Sequence, residues 1–151
     1  MADKNIIKNK KRKNKRKRNK YKKFNKELIE FMCYLNILHI GTTILVFLKK
    51  NLLYSLPSLF LTITSYLYWT NPKDGIIMKI DETMAHFNVI FQLYNSFIFN
   101  RELPVILIVY CMIFLYAYSN YFLKMKNDEY SLFFHSIVVL LGNIAAIIVY
   151  Y

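Results

Sequence analysis

Fourteen of the 21 Lys and Arg residues in this chain lie before position 27, and almost everything after Leu28 is apolar. Residues 28–151 carry seven Lys or Arg and seven Asp or Glu, so the formal net charge of +12 belongs to the first 27 residues. A run such as KNKKRKNKRKRNK repels itself and offers little apolar surface to bury, so it does not build a core. The rest has the opposite problem, because it holds more apolar surface than a soluble domain of this size can hide. The expectation is an all-α integral membrane bundle of about five transmembrane helices over 28–151, preceded by a disordered, basic, cytosolic tail over 1–27.

Five apolar stretches carry that expectation. They cover about 31–48, 52–70, 78–99, 103–123 and 130–151. A spanning helix needs ~20 apolar residues, and backbone groups left unpaired in lipid are costly, so each stretch reads as helix rather than strand. The second, fourth and fifth stretches meet the length, and the second has no charge at all. The first is adequate. The third is long enough only if its helix begins in the linker near Ile76 and carries Asp81 close to the membrane surface. The linker over 71–83 is open to three readings: a loop, an interfacial helix, or the first turns of the third span. Its Asn71-Pro72 and Asp74-Gly75 steps are turn signals. Pro104 falls near the start of the fourth helix, where its missing N–H costs little.

Orientation follows from the loops. With the tail in the cytosol, the cytosolic side holds the tail, Lys73, Lys79, Lys124 and Lys126, which is 18 basic residues. The far side holds Lys49, Lys50 and Arg101, which is 3. The positive-inside rule then places the N-terminus in the cytosol and the C-terminus opposite. Without the third span, the C-terminus returns to the cytosol.

Helical spacing sorts the polar residues onto faces. Asp81, Asn88, Gln92 and Asn95 fall within roughly 60° of one another around the third helix. Ser55, Ser58, Thr62, Ser65 and Trp69 line one face of the second. Met32, Asn36, His39 and Thr43 line one face of the first, and Ser131, His135, Gly142 and Ala146 one side of the fifth. The fourth is apolar almost throughout and reads as the most lipid-exposed. Lipid cannot pair amides or acids, so these seams face protein or water. They serve either as glue between helices or as the lining of a cavity.

The candidate site residues are the seam polars Asn36, His39, Ser65, Asp81, Asn88, Gln92, Asn95 and His135. Asp81 reads in two ways, as a functional acid inside the bundle or as an acid that complements the helix N-terminus together with Glu82. The three histidines sit on three helices, so no HxxH or HxxxH pair supports a metal site. Cys33 and Cys111 lie inside apolar runs and form no CxxC pair. No nucleotide loop, potassium filter or Arg ladder is present. No catalytic residue, metal, cofactor or small-molecule substrate is expected from the residues themselves.

The run Ser65-Tyr-Leu-Tyr-Trp69 followed by Asp81 resembles part of the CREST membrane hydrolases, a superfamily that includes alkaline ceramidases. In that family a Ser-x-x-x-His run closes one helix, an Asp opens the next, and a late helix adds an HxxxH pair around zinc. Ser65 and Asp81 match; Trp69 stands where the first histidine belongs, and His135 stands alone where the late pair belongs. The resemblance covers roughly 20 residues and implies a membrane hydrolase of seven helices, two more than this chain offers. The abundance of Lys, Asn, Ile, Tyr and Phe also resembles multi-pass membrane proteins of A+T-rich large DNA viruses or protists.

The tail, centred on Lys10, Lys11, Arg12, Lys13, Lys15, Arg16, Lys17 and Arg18, suits anionic lipid headgroups or nucleic acid. A nuclear localisation signal and a simple orientation signal are further readings. The lipid bilayer is the first expected partner and a second copy of the chain another. The expected role is structural or organising; the alternatives are a degenerate lipid-modifying hydrolase using Ser65 and Asp81, and a small pore lined by Asn88, Gln92 and Asn95.

Overall fold

The computed structural model describes residues 26–151 except 71, 73 and 74. The basic run from Lys10 to Arg18 and the turn residues Asn71 and Asp74 lie outside the described residues. Five helices account for nearly all of the rest: α1 (Lys26–Lys49), α2 (Leu52–Thr70), α3 (Gly75–Ile98), α4 (Glu102–Lys124) and α5 (Asp128–Tyr150). No strand occurs among the described residues.

The helix boundaries have local causes. α1 starts at Lys26, just inside the segment expected to be tail, where Lys26 pairs with Glu30 at 3.4 Å and Glu27 sits in the first turn. Both features suit a helix N-terminus. α2 is capped by Asn51, whose Oδ1 accepts from the Tyr54 amide at 3.3 Å. Pro57 lies inside α2 and leaves one turn of the ladder without its bond. α3 begins at Gly75, so most of the ambiguous linker is its first two turns. At 24 residues it is about 36 Å long, enough to match its neighbours.

α3 and α4 end in the same way. Asn100 and Lys126 take left-handed backbone, with φ of 55° and 61°. Behind Asn100, the Arg101 amide donates to Ser96 O at 2.7 Å and the Asn100 amide to Phe97 O at 3.4 Å. Behind Lys126, the Asn127 amide donates to Phe122 O at 2.9 Å and the Lys126 amide to Leu123 O at 3.1 Å. Both are Schellman closures, which satisfy carbonyls that the helix itself leaves unpaired. Asn127 then caps α5 by accepting from the Tyr130 amide, so one residue ends a helix and starts the next.

Short connections make successive helices antiparallel, and the five close into a ring in chain order. α4 packs most extensively on α5, then α1 on α2, α2 on α3 and α1 on α5. α3 touches α4 and α5 more lightly. Two apolar plugs mark the ends. One joins Val46, Val105, Val149 and Tyr150, with Tyr54, Leu93 and Phe99 against them. The other joins Met32, Trp69 and Leu132, with Tyr68 and Leu35 against them.

Between the plugs the burial pattern is inverted relative to a water-soluble domain. Asn36, His39, Thr42, Thr43, Ser58, Thr62, Ser65, Asn88, Gln92 and Asn143 are all buried. The outward faces carry Ile37, Ile44, Phe60, Ile63, Ile90, Phe97, Ile113, Phe114, Phe133 and Ile144. α4 buries the narrowest stripe, Val105, Met112 and Ser119 at seven-residue spacing. α1, α4 and α5 are long and apolar enough to cross a membrane. α2, expected from its lack of charge to stand with them, does not, and neither does α3. The hydroxyls of Ser55, Ser58, Thr62, Thr64, Ser65 and Thr70 lower the apolarity of α2, and Lys79, Asp81, Glu82 and three amides lower that of α3.

Two comparisons test this packing. Lys126→Gly relieves the left-handed strain and stabilises the protein by about 1 kcal/mol. Leu132→Ala, inside the second plug, destabilises by about 2–4 kcal/mol, whereas Phe133→Ala beside it on the outer face changes stability by less than ~0.5 kcal/mol. Denaturant unfolding of the detergent-solubilised protein reads both.

Candidate functional site

Four interhelical contacts organise the polar interior. Thr42 Oγ1 of α1 donates to Asn143 Oδ1 of α5 at 2.7 Å. His39, one turn earlier on α1, also faces Asn143. Ser58 Oγ of α2 lies 3.3 Å from Asn88 Oδ1 of α3. Ser119 Oγ of α4 donates to Ser131 O of α5 at 2.9 Å. The fourth joins Ser65 Oγ of α2 to Asp81 Oδ1 of α3 at 2.5 Å, with Thr64 Oγ1 reaching the same carboxylate oxygen at 3.2 Å.

Asp81 is the acid that meets the α2–α3 contact, half-buried there; Glu102, at the start of α4, also buries one carboxylate oxygen. It is the seventh residue of α3, and the first turn of α3 holds no acid. The macrodipole acts mainly within the first turn, so the reading of Asp81 as an N-terminal helix acid does not describe its place. Its neighbour Glu82 is exposed on another side of the helix, where Glu82 Oε1 accepts from the Tyr116 hydroxyl at 2.7 Å. Among the described residues, no Lys, Arg or His nitrogen pairs with Asp81; the ion pair present is Lys26–Glu30.

The expected site residues divide into groups. Ser65 and Asp81 touch, as do Asn88 and Ser58. His135 packs between Trp69 and Tyr116, with ring centroids 5.9 and 6.4 Å away. Asn95 lies toward the opposite end, where its Nδ2 donates to Phe91 O at 2.7 Å in its own helix. Gln92 is buried between Asn88 and Asn95 along α3. Asn36 is buried with its Nδ2 unpaired. His86 points outward, its Nδ1 against Glu82 O and its ring on Tyr116.

Sequence reasoning did not find Thr64, Thr42, Asn143 or Ser119. Thr64 precedes Ser65 and lies off the stripe, but a hydroxyl on the flank still reaches a carboxylate on the next helix. Asn143 was legible as an amide in an apolar run. It falls outside the narrow α5 seam because α5 packs against three helices and buries a wider arc.

The residues do not fit the zinc site that the CREST resemblance implies. Among the described residues, no group of three His, Cys, Asp or Glu side chains comes together to hold a metal ion. Trp69, in the histidine's place, packs its ring at a tilt against His135 instead. No family model, no curated protein and no solved structure matches the chain. Neither the CREST likeness nor the viral or protist likeness of composition gains support from those comparisons.

The Thr42–Asn143 pair gives a direct measure of how much the polar seam holds. A double-mutant cycle with Thr42→Val and Asn143→Leu should return a coupling of about 0.5–1.5 kcal/mol, with the double variant less destabilised than the sum of the singles. Strict additivity would show that the bond contributes nothing.

Proposed function

We propose that this chain is a five-span integral membrane protein with a cytosolic N-terminus and a structural or organising role, its basic tail engaging anionic lipid headgroups. The observation that carries the reading is the inverted burial pattern. Buried positions in the ring are largely amides and hydroxyls, while large apolar side chains cover the outside of every helix. Water on that exterior would cost far more than the interior bonds return, whereas lipid costs nothing.

The low apolarity of α2 and α3 does not count against their spanning. Ser55, Ser58, Thr62 and Ser65 on α2 and Asn88, Gln92 and Asn95 on α3 are turned inward, and the outer faces carry Leu59, Phe60, Ile63, Tyr66 and Leu67 on α2 and Phe87, Ile90, Tyr94 and Phe97 on α3. A composition average cannot separate the two faces. The ring also sends Lys49, Lys50 and Arg101 to the same end as Tyr151, with Lys49 5.0 Å from the Tyr151 ring centroid. Lys26, Lys124 and Lys126 belong to the other end. That segregation fits a tail-side cytosol under the positive-inside rule. Each basic residue near an anionic surface contributes about 1 kcal/mol, so lipid headgroups need no further feature of the fold to attract the tail. Nucleic acid is the competing ligand for the same charge.

A lipid-modifying hydrolase is the second reading, favoured by one contact, Ser65 with Asp81. It needs the zinc that the surrounding side chains are not arranged to hold. A pore through a single ring has less support, because Asn88 and Asn95 are engaged in bonds within the bundle.

Cysteine accessibility in intact membranes tests the topology, using Lys50→Cys, Lys126→Cys and Tyr151→Cys in a background lacking Cys33 and Cys111. Five spans require Lys50→Cys and Tyr151→Cys to label from the non-cytosolic side and Lys126→Cys from the cytosol. Cytosolic labelling of Tyr151→Cys would remove α3 from the membrane. For the tail, binding to anionic vesicles should weaken steeply with salt and fall at least ~100-fold when residues 2–25 are deleted. Tight binding to RNA with no affinity for such vesicles would transfer the tail to nucleic acid. Metal analysis should find no stoichiometric zinc; one zinc per chain would revive the hydrolase.

A further inference from the structure

We infer that Asp81, Ser65 and Thr64 form a binding site for one monovalent hard cation, for which Na+ serves as the probe. The argument starts from charge. Asp81 carries a carboxylate into the contact between α2 and α3, and among the described residues no basic side chain meets it. Lys79, two residues earlier, is exposed and lies roughly 160° around the helix from Asp81. A carboxylate withdrawn from water without a counter-charge is strongly disfavoured.

The donor atoms select the cation. Four oxygens lie in sequence across the two helices: Leu61 O, Thr64 Oγ1, Ser65 Oγ and Asp81 Oδ1. Thr64 Oγ1 is 3.1 Å from Leu61 O and 3.2 Å from Asp81 Oδ1, and Ser65 Oγ is 2.5 Å from the same carboxylate oxygen. Thr64 and Ser65 of α2 both present hydroxyls to the acid opposite, and Leu61 O lies behind Thr64 within hydrogen-bond reach of its Oγ1. Oxygen donors without nitrogen or sulfur suit hard cations and disfavour zinc or copper. The charge count disfavours a divalent ion, because among the described residues one carboxylate meets the Ser65 and Thr64 hydroxyls while Glu82 is held outward by Tyr116. Hydroxyls now donating to Asp81 can turn their lone pairs to a cation without moving either helix.

The site depends on the packing of α2 against α3 and not on which helices cross a bilayer, so it stands or falls separately from the membrane topology. The test is thermal unfolding of the full chain in detergent, in NaCl against choline chloride at equal ionic strength. Choline is too large for this oxygen cluster. Wild type should gain about 5 °C in Tm at saturating Na+. Asp81→Asn should lose the Na+ response, Ser65→Ala should raise the half-saturating Na+ concentration at least ~10-fold, and Glu82→Gln should keep the wild-type response. Equal Tm in the two salts would overturn the site, as would a Na+ gain that survives in Asp81→Asn. A Tm that rises on acidification in choline chloride, with no added effect of Na+, would mean that a proton alone neutralises Asp81 and would also overturn it. Should Asp81→Asn not fold, sodium NMR linewidths decide: broadening by wild type that is reduced by Ser65→Ala supports the site, and no broadening by wild type removes it.

Discussion

A hydrogen-bonding group taken from water must find another partner, and in this bundle that requirement falls on the inside of the ring. Most hydroxyls meet it within their own helix. Thr43 bonds His39 O, Thr62 bonds Ser58 O, Ser96 bonds Leu93 O and Ser136 bonds Phe133 O. Such side chains ask nothing of a neighbouring helix, and their small size lets it come close. The groups that do reach across are few, and each fixes one pair: Thr42–Asn143 for α1 with α5, Ser58–Asn88 and Ser65–Asp81 for α2 with α3, Ser119–Ser131 for α4 with α5, and Tyr116–Glu82 for α3 with α4. In all but Ser119–Ser131, a side-chain amide or acid supplies the acceptor, because a helix that has already used its own amides cannot satisfy it. The order of the ring is thus specified by a handful of polar atoms, while dispersion between small and apolar residues holds it together.

The same division explains what the sequence could and could not reveal. Helical periodicity put Met32, Asn36, His39 and Thr43 on one side of α1, and Ser55, Ser58, Thr62, Ser65 and Trp69 on one side of α2. The structure buries all nine. A period of 3.6 residues is a property of one helix and needs no knowledge of its neighbours. Partners are a property of two, and single-helix geometry cannot name them. Asn143 therefore went unnoticed beside His135, although it makes the shortest interhelical contact of α1. His86 lies on the outer side of α3, its Nδ1 against the Glu82 backbone oxygen, where single-helix geometry alone could not place it relative to the ring. Boundaries were legible where turn chemistry was strong, as at Asp74-Gly75, where α3 begins at Gly75, and less so at Lys26, where a helix extends into a basic segment beside two nearby acids.

α2 shows why average apolarity misjudges a helix inside a bundle. Its buried hydroxyls lie toward its neighbours, so the outward-facing half is more apolar than the whole. A helix in the middle of a ring can hold polar residues that a lone spanning helix cannot, because its neighbours and not the surroundings solvate them. α4 is the opposite case. It buries a single line of residues and needs an apolar exterior on nearly every side, which is why its composition alone marks it.

α3 brings these arguments to one decision. A helix lying on a membrane surface turns its polar face to water and its apolar face to lipid. α3 turns its polar face to α2, where Asn88 meets Ser58 and Asp81 meets Ser65 and Thr64. Its other sides carry Phe87, Ile90, Tyr94, Phe97 and Ile98, which no helix of the chain covers. Moving α3 to the interface would break both polar contacts and leave the α2 hydroxyls facing lipid. With α3 across the membrane, its outer face meets lipid while the polar face keeps its partners. The polar stripe that lowers the apolarity of α3 is the feature that ties it to α2.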